Sequence, residues 1–189
     1  MNIPPPNAHQ NVLTADANIP PIRQINEMQM EDFAWATARN SLLQTLDYLE
    51  AHNLETIQGR LICDGCHQIT VMETNIRQHL DQIQNYIVQH TIDLQGLAPM
   101  PWFKPNPPVC QLCKLNYLKP VLPPDMAHIN WLFLFCENLI GFCSVKQLRF
   151  FLRENGKLNY NKSKQRLVYD MFREIARQLR PTGPLHDLL

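Results

Sequence analysis

Glycine is scarce in this chain of 189 residues, with six against fifteen prolines. So little glycine excludes flexible linkers as an organising feature, and the prolines point to stiff, extended connections. No glycine-rich phosphate loop, no Gly-x-Ser-x-Gly elbow and no paired-carboxylate motif can be placed, so the familiar phosphate-binding and hydrolase signatures are missing. Net charge is missing as well. Seventeen Lys and Arg balance seventeen Asp and Glu, which argues against a strongly basic nucleic-acid binder or a polybasic membrane-surface protein. The most apolar stretch, Ile129 to Cys143, is short and broken by Asn130, Glu137 and Asn138, whereas a membrane span needs about 20 residues with few polar breaks. Met1 to Gln10 has neither a basic start nor an apolar run, so no secretory signal is expected. Six cysteines are too few for a disulfide-stapled secreted mini-domain. The expected setting is reducing and intracellular, in nucleus or cytoplasm.

Hydrophobic residues make up 45% and charged residues 18% of a 22.0 kDa chain, the size and composition of one domain with an added tail. Residues 1–28 carry Pro4, Pro5, Pro6, Pro20 and Pro21 without an apolar period, and read as a disordered, proline-rich arm. From Met30 to about Glu50, Phe33, Trp35, Leu42, Leu43, Leu46 and Leu49 recur at near-helical spacing. Two short strands, Ile57 to Cys63 and Ile69 to Met72, flank Cys-Asp-Gly-Cys as a hairpin. Ile76, Leu80, Ile83 and Ile87 then form the stripe of an amphipathic helix of about 16 residues, with Asn75 or Thr74 as its cap. Five prolines in residues 96–109 predict an extended, helix-free segment. Ile129 to Cys143, apolar nearly all round, reads as the central buried helix. Ser144-x-x-Gln147 is a capping-box pattern opening a helix that closes before Gly156. The last helix, in Asn161 to Arg180, has Val168, Met171 or Phe172, Ile175 and Leu179 on one face, and Pro181 stops it.

The chemistry lies in two Cys-x-x-Cys pairs, Cys63/Cys66 and Cys110/Cys113, separated by residues 67–109. Zinc prefers four soft ligands in a tetrahedron, with Zn–S near 2.3 Å and sulfurs roughly 3.8 Å apart. Two cysteines spaced by two residues reach that separation on one tight turn. Gly65 suits such a turn through its tolerance of positive φ, and Ile62 and Val109, each preceding a pair, are expected to anchor it in the core. Four thiolates and one Zn²⁺ leave a charge near −2, for which Arg60, His67 and Lys114 are the expected partners. Structural zinc contributes about 10–16 kcal/mol in small peptide systems, whereas closing a loop of this length costs only a few kcal/mol on a logarithmic scale.

The competing readings fit less well. Redox activity would require a βαβ context that this chain lacks. A Cys2His2 finger would use His79, but His90 lies too far on, and Cys110 and Cys113 would be unexplained. A zinc deaminase needs His-x-Glu, which does not occur, and Pro108 is one place too early for its second motif. A closed four-cysteine site also has no open position for water, so no enzyme is expected. Cys136 and Cys143, seven apart, read as buried free thiols on one helix face. His67 is expected to point away from the metal, and His52, His79, His90 and His128 to lie on the surface.

Charge segregates along the chain. Residues 144–181 carry ten Lys and Arg against three acids, and residues 1–61 carry three against seven. Lys157, Lys162, Lys164 and Arg166 cluster around Tyr160. They could touch phosphates or an acidic partner, or form a solvated face complementary to the acidic half.

The order of these motifs resembles a plant domain-of-unknown-function family with two Cys-x-x-Cys pairs and an Ile-Asn-Trp-Leu-Phe-Leu helix. The likeness rests on Ile57-Gln-Gly-Arg-Leu-Ile-Cys-Asp-Gly-Cys66, Trp102 ahead of the second pair, and Lys119-Pro120-Val121. Further along it rests on Ile129-Asn-Trp-Leu-Phe-Leu134, Gly141-x-Cys143 and the basic stretch Lys164 to Tyr169. It covers roughly residues 30 to 181. Trp35-Ala36-Thr37 resembles the family's short Trp segment, which implies coil there. Cys136 and Glu137 stand where the family tends to have an apolar and a small residue, which implies that Cys136 is not a ligand. The resemblance brings no activity with it.

The expected architecture is therefore α+β: a zinc-clamped β-hairpin with one amphipathic helix, packed on a C-terminal helical bundle. A single zinc-binding domain spans 29–181, with hairpin and clamp in 54–122, helices in 125–181 and a tail in 182–189. The expected role is a non-enzymatic module for a protein partner, with one structural Zn²⁺ on Cys63, Cys66, Cys110 and Cys113 and no membrane association. The alternative is a nucleic-acid-associated module using the basic C-terminal helices.

Overall fold

The computed structural model describes residues 36, 43–157 and 161–185. The expected N-terminal arm, and all of the expected Met30 to Glu50 helix before residue 43 except Ala36, lie outside the described residues. Among the described residues the first α-helix is α1 (Leu46–Ala51), capped by the Thr45 side chain. Leu43 enters it tied to the far end of the chain, its N–H donating to Gln178 Oε1 at 2.9 Å.

The hairpin forms as the alternation requires. Strand β1 (Thr56–Cys63) buries every second residue, Ile57, Gly59, Leu61 and Cys63. It pairs antiparallel with β2 (Ile69–Asn75), from Thr56↔Asn75 to Ile62↔Ile69. On its other edge β1 pairs with β3 (Leu118–Pro120), through Leu61↔Pro120, Ile62↔Lys119 and Cys63↔Leu118. The three-stranded order is β2-β1-β3. The third strand, which the sequence does not announce, is what brings the second cysteine pair to the first.

Helix α2 (Ile76–Leu94) begins at Asn75, whose side chain accepts from the Gln78 N–H, and buries Ile76, Leu80, Ile83 and Ile87. It is longer than the stripe predicts and is kinked at His90. The proline-rich segment is not free of helix: α3 (Met100–Phe103) forms a single turn. Pro101 sits within the first turn, where its missing N–H has no helical partner to lose. Trp102 stacks on Phe172, with centroids 4.1 Å apart.

The expected continuous helix from Ile129 to Cys143 is in fact three pieces: α4 (Trp131–Cys136), a turn, and a 3₁₀ turn over Ile140–Phe142. Asn130 caps the start of α4, accepting from the Phe133 N–H at 3.0 Å. At its end Asn138 adopts φ 57°. The Leu139 N–H reaches Leu134 O at 2.7 Å and the Asn138 N–H reaches Phe135 O at 3.1 Å, the paired bonds of a Schellman termination. All six residues of α4 are buried, so it remains the centre of the core, though Cys136 and Cys143 do not share one helix.

Helix α5 (Val145–Glu154) opens with the expected reciprocal Ser144/Gln147 capping box. It ends at Gly156 with φ 65°. Helix α6 (Lys164–Leu179), capped by Ser163, buries Val168, Met171, Phe172, Ile175 and Leu179. It packs against α5, α2 and α3. Arg180 crosses to α2, donating to Asp81 Oδ1 at 2.8 Å and to Gln84 Oε1. Leu185, within the expected tail, is buried. Among the described residues no helix is long and apolar enough to cross a membrane.

Candidate metal centre

The two cysteine turns are built alike. In the first, the Cys63 N–H donates to Gln68 O and the His67 N–H to Cys63 O, both at 3.0 Å. In the second, the Cys110 N–H donates to Asn116 O at 2.8 Å and the Lys114 N–H to Cys110 O at 2.9 Å. The residue after each second cysteine, His67 or Lys114, takes positive φ, 58° and 55°. These are the left-handed positions, rather than Gly65, which the sequence reading singled out for positive φ. Gly65 is needed for a different reason: a Cβ there would lie 2.1 Å from Asn116 Nδ2. The second turn packs onto the first at that point, so a side chain at residue 65 would displace the Asn116 amide from its place beside the sulfurs. Val109 is exposed and pairs with Tyr117 as an isolated bridge, so it does not anchor the turn in the core. The buried cysteines Cys63 and Cys110, with Leu61 and Leu118, do so instead.

This construction gathers the four sulfurs. Cys63 Sγ lies 3.6 Å from Cys113 Sγ, and Cys66 Sγ lies 3.6 Å from Cys110 Sγ. All four are within 4.8 Å of one another. Four thiolates around one divalent ion need separations near 3.8 Å, so the four cysteines could hold a metal ion. They are not disulfide-bonded.

Backbone amides aim at the sulfurs from within each turn. The Gly65 and Cys66 N–H groups face Cys63 Sγ at 3.4 and 3.5 Å. The Leu115 and Asn116 amides hold the Cys113 thiol down to about 6, against opposing burial. The Cys113 and Leu112 amides likewise lower Cys110. At Cys66 the Gln68 amide pulls down, but burial and the three neighbouring sulfurs outweigh it and push the thiol up to about 11. Without a cation the cluster cannot be fully ionised, because four like charges would crowd a few ångströms. A divalent ion removes that conflict.

Two partners of the cluster escaped the sequence reading. Asn116 donates its side-chain Nδ2 toward Cys113 Sγ at 3.9 Å. Lys119 on β3 forms an ion pair with Asp64 inside the first turn, fastening strand to turn. Only the pairing of β3 with β1 makes either visible.

The four cations of the expected basic patch are divided among separate tasks. Lys164 Nζ donates to Gly141 O at 2.8 Å and Arg166 Nη1 to Gln95 O at 3.2 Å, both as braces between elements. Lys162 pairs with Asp170 at 2.7 Å. Lys157 is exposed and, with Lys162, lines a cavity of about 180 Å³ that also includes Asp170, Arg173, Glu174 and Arg177. Cys136 and Cys143 are buried apart from the cluster, as the sequence reading expects of free thiols.

No curated protein and no solved structure matches this chain. A family model described as Domain of unknown function (DUF7086) matches residues 46–179, from α1 to the end of α6.

Proposed function

The chain belongs to the DUF7086 family of domains of unknown function; from the geometry of its four cysteines we propose a zinc-stabilised, non-enzymatic module that binds a protein partner. Cys63, Cys66, Cys110 and Cys113 are the ligands of one structural Zn²⁺. The observation that carries this reading is the convergence of four sulfurs within 4.8 Å from two turns of matching hydrogen-bond pattern. An all-thiolate set suits zinc and leaves no coordination position for a reacting water. The module works in a reducing intracellular compartment, where thiolates stay available for metal.

The partner-binding part of the proposal draws on what the second turn presents to solvent. Leu112 is 68% and Leu115 is 84% exposed, with Val109 and Tyr117 beside them. Large apolar side chains grouped on one rigid turn are a feature of interaction surfaces. A second reading, a nucleic-acid-associated module, draws on the cavity lined by Lys157, Lys162, Arg173 and Arg177, although two carboxylates share it.

Affinity capture with the full chain, followed by mass spectrometry, tests the first reading. A defined protein retained by the wild type and lost with Leu112→Ser/Leu115→Ser supports it. Binding to generic DNA or RNA that falls steeply with salt would replace it with the second.

A further inference from the structure

A second feature, away from the cysteines, points to the chemistry of that partner; the inference rests on the protein-binding reading above. A cleft of about 280 Å³ opens between the proline-rich strap and the turn that ends α4. Pro101, Pro105, Pro107 and Pro108 line it from the strap, and Leu61 and Met72 from the sheet. Glu137 is the sole charged residue among those lining the cleft, and its carboxylate makes no ion pair among the described residues. The cleft thus offers a carboxylate that has no cationic partner of its own among the described residues.

We propose that the cleft receives a lysine or arginine side chain of the protein partner. Its aliphatic stem lies along the prolines and its cationic head meets the Glu137 carboxylate. Long basic side chains combine an apolar body with a donor-only head, the complement of apolar walls beside an unpaired carboxylate. The walls are fixed. At Gly141 a Cβ would lie 2.4 Å from Trp102 O and 2.7 Å from Pro105 Cδ, so the strap is seated directly on the backbone after the turn. The cysteine cluster holds the strap's other end, since Pro108 O accepts the Leu118 N–H at 2.9 Å beside Cys110.

The test uses the full, metal-loaded chain and acetylated, amidated pentapeptides with lysine, arginine or uncharged norleucine between alanines, followed by nitrogen-15 NMR. The lysine or arginine peptide is expected to shift the amides of Leu61, Met72, Asn106, Glu137 and Asn138, and the norleucine peptide to leave them unmoved. Glu137→Gln should weaken binding at least about tenfold, as expected for a charged hydrogen bond. Equal binding of norleucine, no response to either cationic peptide, or an unchanged affinity in Glu137→Gln would overturn the proposal. A partner captured undiminished by Glu137→Gln would also overturn it, while leaving the protein-binding reading in place.

Discussion

At the scale of single residues, the tightest constraint is steric. Gly141 faces carbonyl oxygens of Trp102 and Phe103 at 2.4 and 2.6 Å from where its Cβ would stand. Backbone cannot swing aside as a side-chain tip can. Gly141→Ala is therefore expected to lower stability by about 1–3 kcal/mol, the range for overpacking, as read by urea denaturation. Gly156→Ala meets nothing within 4 Å and pays only for its positive φ, so about 1 kcal/mol is expected there. The buried thiols make a second residue-scale prediction. Burial pushes Cys136 far up and Cys143 up to about 12, from an ordinary value of 9.0. A thiol held above its unfolded value contributes in full below pH 9, and the contribution is lost as pH rises toward the folded value. Stability should accordingly be flat in this respect below pH 9, then fall by about 1.4 kcal/mol per pH unit for each thiol. Denaturation curves between pH 8 and 11 check this, and Cys136→Ala should make the decline shallower.

Among the elements, α4 depends on both of its ends. Asn130 caps it and also donates its Nδ2 to Gln58 O at 3.0 Å, joining helix to sheet. Asn130→Ala removes both bonds and is expected to cost about 1–2 kcal/mol, measured as a shift of the urea midpoint at constant slope. Ser144→Ala, which removes a cap without a tertiary bond, should cost about 1 kcal/mol. The same elements show what could be read from sequence. The Ser144/Gln147 box, the Asn75 cap and the α2 stripe rest on local chemistry and period, and all three stand in the structure. The break after Cys136 is marked in the sequence only by Glu137 and Asn138, and the reading of one continuous buried helix passes over it. Asn138 takes the left-handed position that ends α4, a role asparagine shares with glycine. The single turn of α3 was hidden for the opposite reason: five prolines excluded a long helix but not one turn with proline at its start.

Across the whole molecule, the spacing of the four cysteines carried the most information. It anticipated a site assembled from two distant turns, and the sheet order β2-β1-β3 is the means by which the turns meet. Charge counts carried less. Lys164 and Arg166 look like members of a solvated basic face, yet each reaches a backbone carbonyl of another element, and a sum of charges cannot separate a brace from a surface. If the cysteine cluster is the keystone, Cys63→Ser or Cys110→Ser should abolish cooperative folding, because a structural zinc contributes about 10–16 kcal/mol in small systems and a domain of this size has about 5–15 kcal/mol of stability in total. The most direct measurement is the metal content of the purified full chain, paired with its thermal unfolding by circular dichroism before and after treatment with a strong zinc chelator. One zinc per chain, with the cooperative transition lost on chelation, is the predicted result. A metal-free chain that melts with an unchanged, cooperative transition would contradict it.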